Sequence, residues 1–407
     1  MDVVSAYLAG ELEEEIYMGP PEGLPYKQPE GGRMACRLVK GLYGLKQSGR
    51  VWNNTFRATL TSLGFMKLSE DNFVFLNKNS GVIIALYVDD LLIFSKELTA
   101  ITDIKAELKK TYNMKDLGEA DVCLGIQIRR NRKNRSLTID QHAYVTKVLK
   151  EFSMENSKAV ATPIDGYEYI KPTLDGEPMA DPLEYQKAVG SLMYAMTATR
   201  PDLAFAVGKF SQFCHAPSAR HRAGLQRVFR YLQGTKDLKI TYSGQSPTGV
   251  YGYSDSDYAG DTADRKSTHR YAFTLAGGAI SWSSRKQKTT STSTTEAEYV
   301  SLCNAAKTAA WITEWLKEAN SGQYLNSKPV QLYGDNQSSI RLVKNPEFHA
   351  RTKHIDVRYH YIREALEDGL IELSYIPTTD MTADCLTKPL TKEKFHTGLS
   401  LLGLVDP

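Results

Sequence analysis

Leu86-Tyr87-Val88-Asp89-Asp90-Leu91-Leu92-Ile93-Phe94 places two adjacent acids between two runs of strand-forming apolar residues. Side chains alternate along a strand, but a tight turn presents neighbouring carboxylates together. A close, buried pair of acids repels unless a cation neutralises it, and a divalent metal is the natural answer. Two such ions held about 3.5 to 4 Å apart clamp the attacking and leaving oxygens of a phosphoryl transfer. An acidic hairpin turn is the other reading of the same residues, because Asp is common in turns. The surrounding sequence has to decide between them.

Outward from these acids, Val82 to Val88 is a near-continuous apolar run and Leu91 to Ser95 reads as its hairpin partner. Leu98, Ile101, Ile104 and Leu108 recur at helical spacing, which predicts a helix between Ser95 and Met114 that packs on the sheet. Ile128 to Leu137 carries Arg129, Arg130, Arg132, Lys133 and Arg135 at a predicted hairpin turn. A solvated turn and a contact with nucleic-acid phosphates both account for that charge. Residues 140–245 read mainly as helices, with Asp181 to Pro201 and His221 to Gly234 the clearest, and Arg220, Arg222, Arg227 and Arg230 give the latter a basic side. Gly244 to Gly249 reads as a linker. Beyond it the pattern predicts strands at 249–254, 271–275 and 279–283, a long helix from Thr295 to Ala319, and strands at 330–333 and 371–376. The fold class is α/β (α+β).

With 407 residues, the chain is long enough for two or three domains, each with its own core. Its 50 basic and 47 acidic residues leave a net charge of +3, so nucleic-acid binding has to rest on local basic patches rather than on net charge. No run of 18 apolar residues and no targeting pattern occurs, which predicts an intracellular, soluble protein, cytoplasmic or nuclear, with no membrane partner. Cys36, Cys123, Cys214, Cys303 and Cys385 are scattered and suit reduced thiols. Cys214, His215 and His221 match no common zinc spacing.

A second set of acids lies in the last third. Asp255 is expected to end the first strand, Glu298 to lie in the first turn of the long helix, Asp335 to end the fourth strand and Asp384 to open the last helix. Strand ends and helix starts meet where a sheet and its covering helices join, so these residues can converge, and four convergent carboxylates demand metal. Each also has a local reading. Glu298 could complete a capping box with Thr295, Asp335 could be a turn residue before Asn336, and Asp384 could be a helix-start acid.

Four blocks of the first part resemble, in order and spacing, the reverse transcriptase of copia-type retrotransposons: Met1 to Met18 followed by Pro20 to Gly23, Gly41 to Trp52 with Gly49 where a proline is usual, Tyr87 to Asp90, and Leu124 to Ile128. Tyr253 to Asp261, Arg265 to Thr268, Ile280 to Gln287, Thr295 to Tyr299, Tyr333 to Asn336, Arg351 to Asp356 and Ala383 to Pro389 resemble the ribonuclease H domain of the same elements. The resemblance implies a truncated reverse-transcriptase palm at 1–128, a thumb and connection at 129–245, and a ribonuclease H-like mixed-sheet domain at 246–407. It implies Asp2, Asp89 and Asp90 as polymerase metal ligands, Tyr7 as the sugar-selecting aromatic, and Gln47, Leu124 and Gly125 at the substrate. Asp255, Glu298, Asp335 and Asp384 become the ribonuclease H metal ligands, with Asp257, Glu296 and Asp380 as nearby acids set aside. The implied cofactor is Mg²⁺ or Mn²⁺, two ions per active site. The implied partners are an RNA template with a DNA primer, deoxynucleoside triphosphates, and RNA–DNA hybrid. His269 and Arg270 stand where the family has Ser-Gly; the change is expected to bear on a hairpin turn and not to touch the acids.

The family also carries a fingers subdomain ahead of its first catalytic aspartate, whereas Asp2 is the second residue here. The strand bearing Asp2 is therefore expected to lack chain to pair with and to fray, leaving the polymerase site inactive beside an intact ribonuclease H. The chain reads as the C-terminal fragment of a polyprotein. A non-catalytic nucleic-acid-binding remnant, or an inactive pseudogene product, are the alternatives.

Overall fold

The computed structural model describes the chain except residues 24, 26–31, 33, 248, 262–263, 320–328, 346–360, 387 and 407. The block Arg351 to Asp356 thus lies outside the described residues, as do Thr248 of the linker and Thr387. The chain divides into one unit of Met1–Ala120 with Lys317–Asn320 and another of Asp121–Leu316 with Ser321–Pro407.

The first unit runs β1 (Asp2–Val3), β2 (Glu11–Met18), β3 (Cys36–Lys40), α1 (Ser48–Ser62), β4 (Met66–Lys67), β5 (Val74–Asn77), β6 (Val82–Tyr87), β7 (Asp90–Phe94), α2 (Leu98–Thr111) and β8 (Met114–Lys115). Strand order in its main sheet is β4-β5-β6-β7-β1-β8, and β2 pairs with β3 separately. Trp52, Phe56 and Leu60 recur every four residues on α1 and bury one stripe in a core with Phe75, Ile84, Leu86, Leu91 and the α2 residues Ile104 and Leu108. The predicted hairpin and helix are both present.

One expectation is corrected. The Asp2 strand does not lack partners, because β1 pairs with β7 on one side and β8 on the other. Val3 is buried, the Met1 ammonium donates to Leu91 O, and Leu91 N donates to Met1 O, each at 2.8 Å. Both partner strands come from later in the chain, so pairing does not depend on residues ahead of Asp2.

The second unit contains β9 (Val122–Cys123), β10 (Ile126–Asn131), β11 (Ser136–Asp140), α3 (His142–Glu151), α4 (Pro182–Ala198), α5 (Ala204–Phe210), α6 (Ala219–Gly234) and β12 (Lys239–Ser243). It continues with β13 (Val250–Asp257), β14 (Thr268–Leu275), β15 (Gly278–Lys286), α7 (Thr294–Glu318), β16 (Val330–Gly334), α8 (Gln337–Lys344), α9 (Tyr361–Glu367), β17 (Ile371–Tyr375), α10 (Lys392–Leu401) and β18 (Leu404–Val405). One of its sheets has the order β15-β14-β13-β16-β17. The first three strands pair antiparallel, while β13, β16 and β17 run parallel. Three antiparallel strands extended by two parallel ones, with a long helix between the two sets, is the mixed sheet expected of a ribonuclease H-like fold.

Its other sheet, β18-β12-β11-β10-β9, contains the hairpin expected around Ile128–Leu137 as β10 and β11, but its β12 lies in a region read as helical. Lys239–Ser243 is five residues long and pairs with strands about a hundred residues before it and more than 160 after it, partners that local periodicity does not reveal. Ile240 and Leu404 of this sheet, Val189 and Leu192 of α4, and Ala272 and Ala279 of the mixed sheet share one core. The basic side of α6 is engaged internally: Arg220 pairs with Glu177, Arg222 with Glu184 and Arg227 with Asp165. His221 caps the same helix, its Nδ1 accepting from Ser218 N at 3.0 Å. Among the described residues no helix is long and apolar enough to cross a membrane.

Candidate metal centre

Ser301 fixes α7 against the sheet. Its Oγ accepts from Arg270 N at 3.2 Å, and it lies 2.7 Å from Asp255 O and 3.0 Å from Ser254 Oγ. Buried Ala297, Ala305, Ala306 and Ala309 keep the helix surface small enough for this approach. On β13, Gly252 leaves room for the Phe273 ring of the neighbouring strand, since a Cβ there would fall 2.4 Å from it. Glu298 lies three residues before Ser301 and so shares its helix face. Its Oε1 accepts from Ser256 N at 3.1 Å and Ser256 Oγ at 3.2 Å. Asp335 follows the end of β16, and Thr378 Oγ1 donates to its Oδ2 at 2.8 Å.

The result is a cluster in which ligand atoms of Asp255, Glu298 and Asp335 all lie within 4.8 Å of one another. It is the one such grouping of three acids, histidines or cysteines among the described residues. Asp384 is not part of it and does not open the last helix; it lies in a 3₁₀ turn, Thr382–Leu386, with Lys388 Nζ 3.2 Å away. The capping role available to Glu298 falls to Glu296, whose carboxylate accepts from Thr292 N at 2.6 Å while its N–H donates to Ser293 Oγ at 3.1 Å. Asn336 caps α8 by accepting from Ser339 N. Asp380 is exposed.

Asp255 and Glu298 are each only 7% exposed. Burial, opposed by the Arg270 guanidinium and reinforced by Asp384 and Asp335, pushes Asp255 up to about 7. Burial and then the Asp255 and Asp335 charges raise Glu298 well above the usual carboxylate range. Carboxylates in this state take either a proton or a cation. An all-oxygen donor set with two buried members suits a hard divalent ion such as Mg²⁺ or Mn²⁺.

Arg270 overturns an expectation. Neither it nor His269 lies at a turn: both are inside β14, paired in register with Asp255 and Ser256. The Arg270 side chain is fully buried, with Nη1 3.6 Å from Asp255 Oδ2 and Nη2 3.4 Å from Asp257 Oδ2. The departure from the family pattern therefore does touch the acids. Cross-strand register, which brings Arg270 opposite Asp255, decides this and is not visible in local turn chemistry. Ser256, Thr378 and Ser301 were likewise not singled out from sequence, because single hydroxyl residues carry no spacing signal.

In the first unit, Tyr87 pairs with Asp90 and the β6–β7 turn consists of Val88, with φ of 56°, and Asp89. Trp52 Nε1 donates to Val88 O at 2.5 Å and Val3 N to Asp89 O at 2.9 Å. Asp2 stands opposite Asp90. Burial, then Asp89 and Asp2, raises Asp90. The three acids are partly exposed and do not close into a cluster within 4.8 Å. Tyr7 packs on Tyr43 with ring centroids 4.7 Å apart, and the Tyr43 hydroxyl is raised by burial and then by Asp89, Tyr7 and Asp2, so this pair borders the acids. Gln47 instead donates to Glu14 at 2.9 Å. Leu124 and Gly125 belong to the second unit, where both have positive φ and the Tyr194 hydroxyl donates to Leu124 O.

Residues 1–166 match the family described as reverse transcriptase (RNA-dependent DNA polymerase). The chain is 42% identical to the retrovirus-related Pol polyprotein from transposon TNT 1-94 of Nicotiana tabacum, over 99% of this chain and 30% of that polyprotein. It is 32% identical to a transposon Ty5-1 protein of Saccharomyces cerevisiae, over 74% of this chain and 97% of that protein. Against the polyproteins from tobacco and Arabidopsis thaliana it spans 27 to 30% of their length. Among solved structures, ribonuclease H1 from Halobacterium salinarum overlaps 34% of this chain and 92% of its own, at 18% identity and a TM-score of 0.21.

Proposed function

The chain belongs to the copia-type retrotransposon Pol family, and on that premise we propose that its C-terminal part is a ribonuclease H that cleaves the RNA strand of RNA–DNA hybrids. The observation that carries this reading is the mutual approach of Asp255, Glu298 and Asp335 to within 4.8 Å. Divalent ions bound there, two in the family pattern, would supply an activated water and a counter-charge for the leaving oxygen. The chain's own residues prepare the place. Ser256 holds Glu298 by two hydrogen bonds, Thr378 holds Asp335, and Ser301 fixes the helix and strand that bear Glu298 and Asp255. Asp384 adds a fourth negative charge near Asp255 while anchored by Lys388. Hybrid would be selected by groove shape and 2′-hydroxyls rather than by base sequence.

The palm of the reverse transcriptase, in this reading, falls mainly in the first unit. Asp2, Asp89 and Asp90 would hold the metals that add deoxynucleoside triphosphates to a DNA primer on an RNA template, and Tyr7 would bear on the sugar of the incoming nucleotide. The proposed partition is palm at 1–128, thumb and connection at 129–245 and ribonuclease H at 246–407. Roles at the substrate for Gln47, Leu124 and Gly125 rest on the family pattern.

The test is cleavage of an end-labelled RNA strand in hybrid by the whole chain with Mg²⁺ or Mn²⁺. Asp335→Asn keeps the volume and removes a charge, so cleavage should fall about a hundredfold or more; an unchanged rate refutes the assignment. The buried Arg270 beside Asp255 favours one other reading, a remnant that binds hybrid without turnover. Retention of hybrid with no metal-dependent product in the parent chain would select it.

A further inference from the structure

The acid cluster contains a cation of the protein's own. Arg270 stands directly across the strand pair from Asp255, its guanidinium 3.6 Å from one Asp255 oxygen and 3.4 Å from an Asp257 oxygen. None of its side chain reaches solvent, and the guanidinium carbon sits 5.6 Å from the Phe205 ring centroid, so the group is held in place by packing as well as by charge. A guanidinium stays protonated in proteins and cannot give up its charge to make room for another cation. A divalent ion bound by Asp255, Glu298 and Asp335 would share a carboxylate with that charge, in a setting where two of the three ligands are shielded from water.

We propose that Arg270 is an internal counter-charge to Asp255 that weakens divalent-ion binding at the Asp255, Glu298 and Asp335 cluster. The inference rests on the reading of that cluster as a metal site. Arg270 touches neither water nor substrate, so it acts through Asp255 as a positioning residue. A purely structural strut between β13 and β14 predicts the opposite sign. Removing a strut loosens the site and weakens metal binding, whereas removing a counter-charge tightens it.

The test is direct binding of Mn²⁺ to the whole chain, free of nucleic acid, with free Mn²⁺ read by electron paramagnetic resonance. Arg270→Met fills a similar volume without charge, Arg270→Gln keeps a donor beside Asp255, and Arg270→Lys keeps the charge. Circular dichroism reports whether each is folded. Arg270→Met should lower the Mn²⁺ Kd about tenfold or more, and Arg270→Lys should stay near the parent. If Arg270→Met does not fold, Arg270→Gln is read in its place with the same expected direction. Folded neutral variants that bind Mn²⁺ no more tightly than the parent overturn the inference and leave the metal site standing. If parent and neutral variants alike bind no more Mn²⁺ than Glu298→Gln, the cluster is not a metal site and both readings fall.

Discussion

Asp2, Asp89 and Asp90 are carried by a two-residue strand, a hairpin turn and the first position of β7 and remain partly exposed, whereas Asp255 and Glu298 come from an eight-residue strand and a 25-residue helix and are each 7% exposed. Both regions gather acidic side chains at or near the ends of strands that lie inside a sheet. Only the second draws three sets of carboxylate oxygens within 4.8 Å of one another. The difference lies in what stands behind the acids. Ser301, Ser256 and Thr378 hold the second set from behind, while the first relies on Trp52 and Val3 bonding the main chain of the turn. Convergence of like charges is unfavourable, so it needs long, well-packed elements to enforce it. It also leaves carboxyls that hold protons well above their usual range until a cation arrives.

The comparison can be broken first where the β6–β7 turn is tied down. Trp52→Ala removes the largest side chain of the first core together with the bond to Val88 O, and should cost about 3–5 kcal/mol, read by denaturant melting. A loss below about 1 kcal/mol would mean the turn is held by something else. Next, Glu298→Gln should lower hybrid cleavage about a hundredfold, some 2.7 kcal/mol of barrier, with the fold intact. Ser301→Ala sharpens the claim that the helix is pinned to the strands. It should destabilise by about 1–3 kcal/mol, because buried backbone groups of Asp255 and Arg270 lose a partner; a neutral effect would detach convergence from this hydroxyl.

The smallest effect is in pH. Asp255, raised to about 7, and the strongly raised Glu298 take up protons on folding. The Asp255 contribution to stability is fully present below about pH 4 and is lost as pH rises through about 7, and Glu298 contributes in the same direction. Metal-free chain should therefore lose roughly 2–4 °C in Tm across that window, and excess Mn²⁺ should flatten the loss. A Tm that rises over the same window would contradict the burial of these two carboxyls.

The β6–β7 hairpin, α2, the five strands of the mixed sheet and α7 were legible because each is a local pattern: an apolar run, a 3.6-residue stripe, or a strand bounded by turn residues. The acids themselves were legible for the same reason, since Asp255, Glu298 and Asp335 fall at or near element ends. What stayed hidden depends on partners far along the chain. The pairing of Asp2 with β7 and β8, the recruitment of Lys239–Ser243 by β11 and β18, and the placement of Arg270 opposite Asp255 are all matters of register between distant strands. At position 270 a Gly-to-Arg change suggests a turn, whereas β14 begins two residues before it.

The central claim is that one acid cluster is preformed for a divalent ion and the other is not. Mn²⁺ titration of the nucleic-acid-free chain and of its Asp89→Asn and Glu298→Gln variants tests it directly. The account predicts that Asp89→Asn binds as the parent does and that Glu298→Gln loses the bound ion. Loss of binding in Asp89→Asn, or full binding in Glu298→Gln, would contradict it.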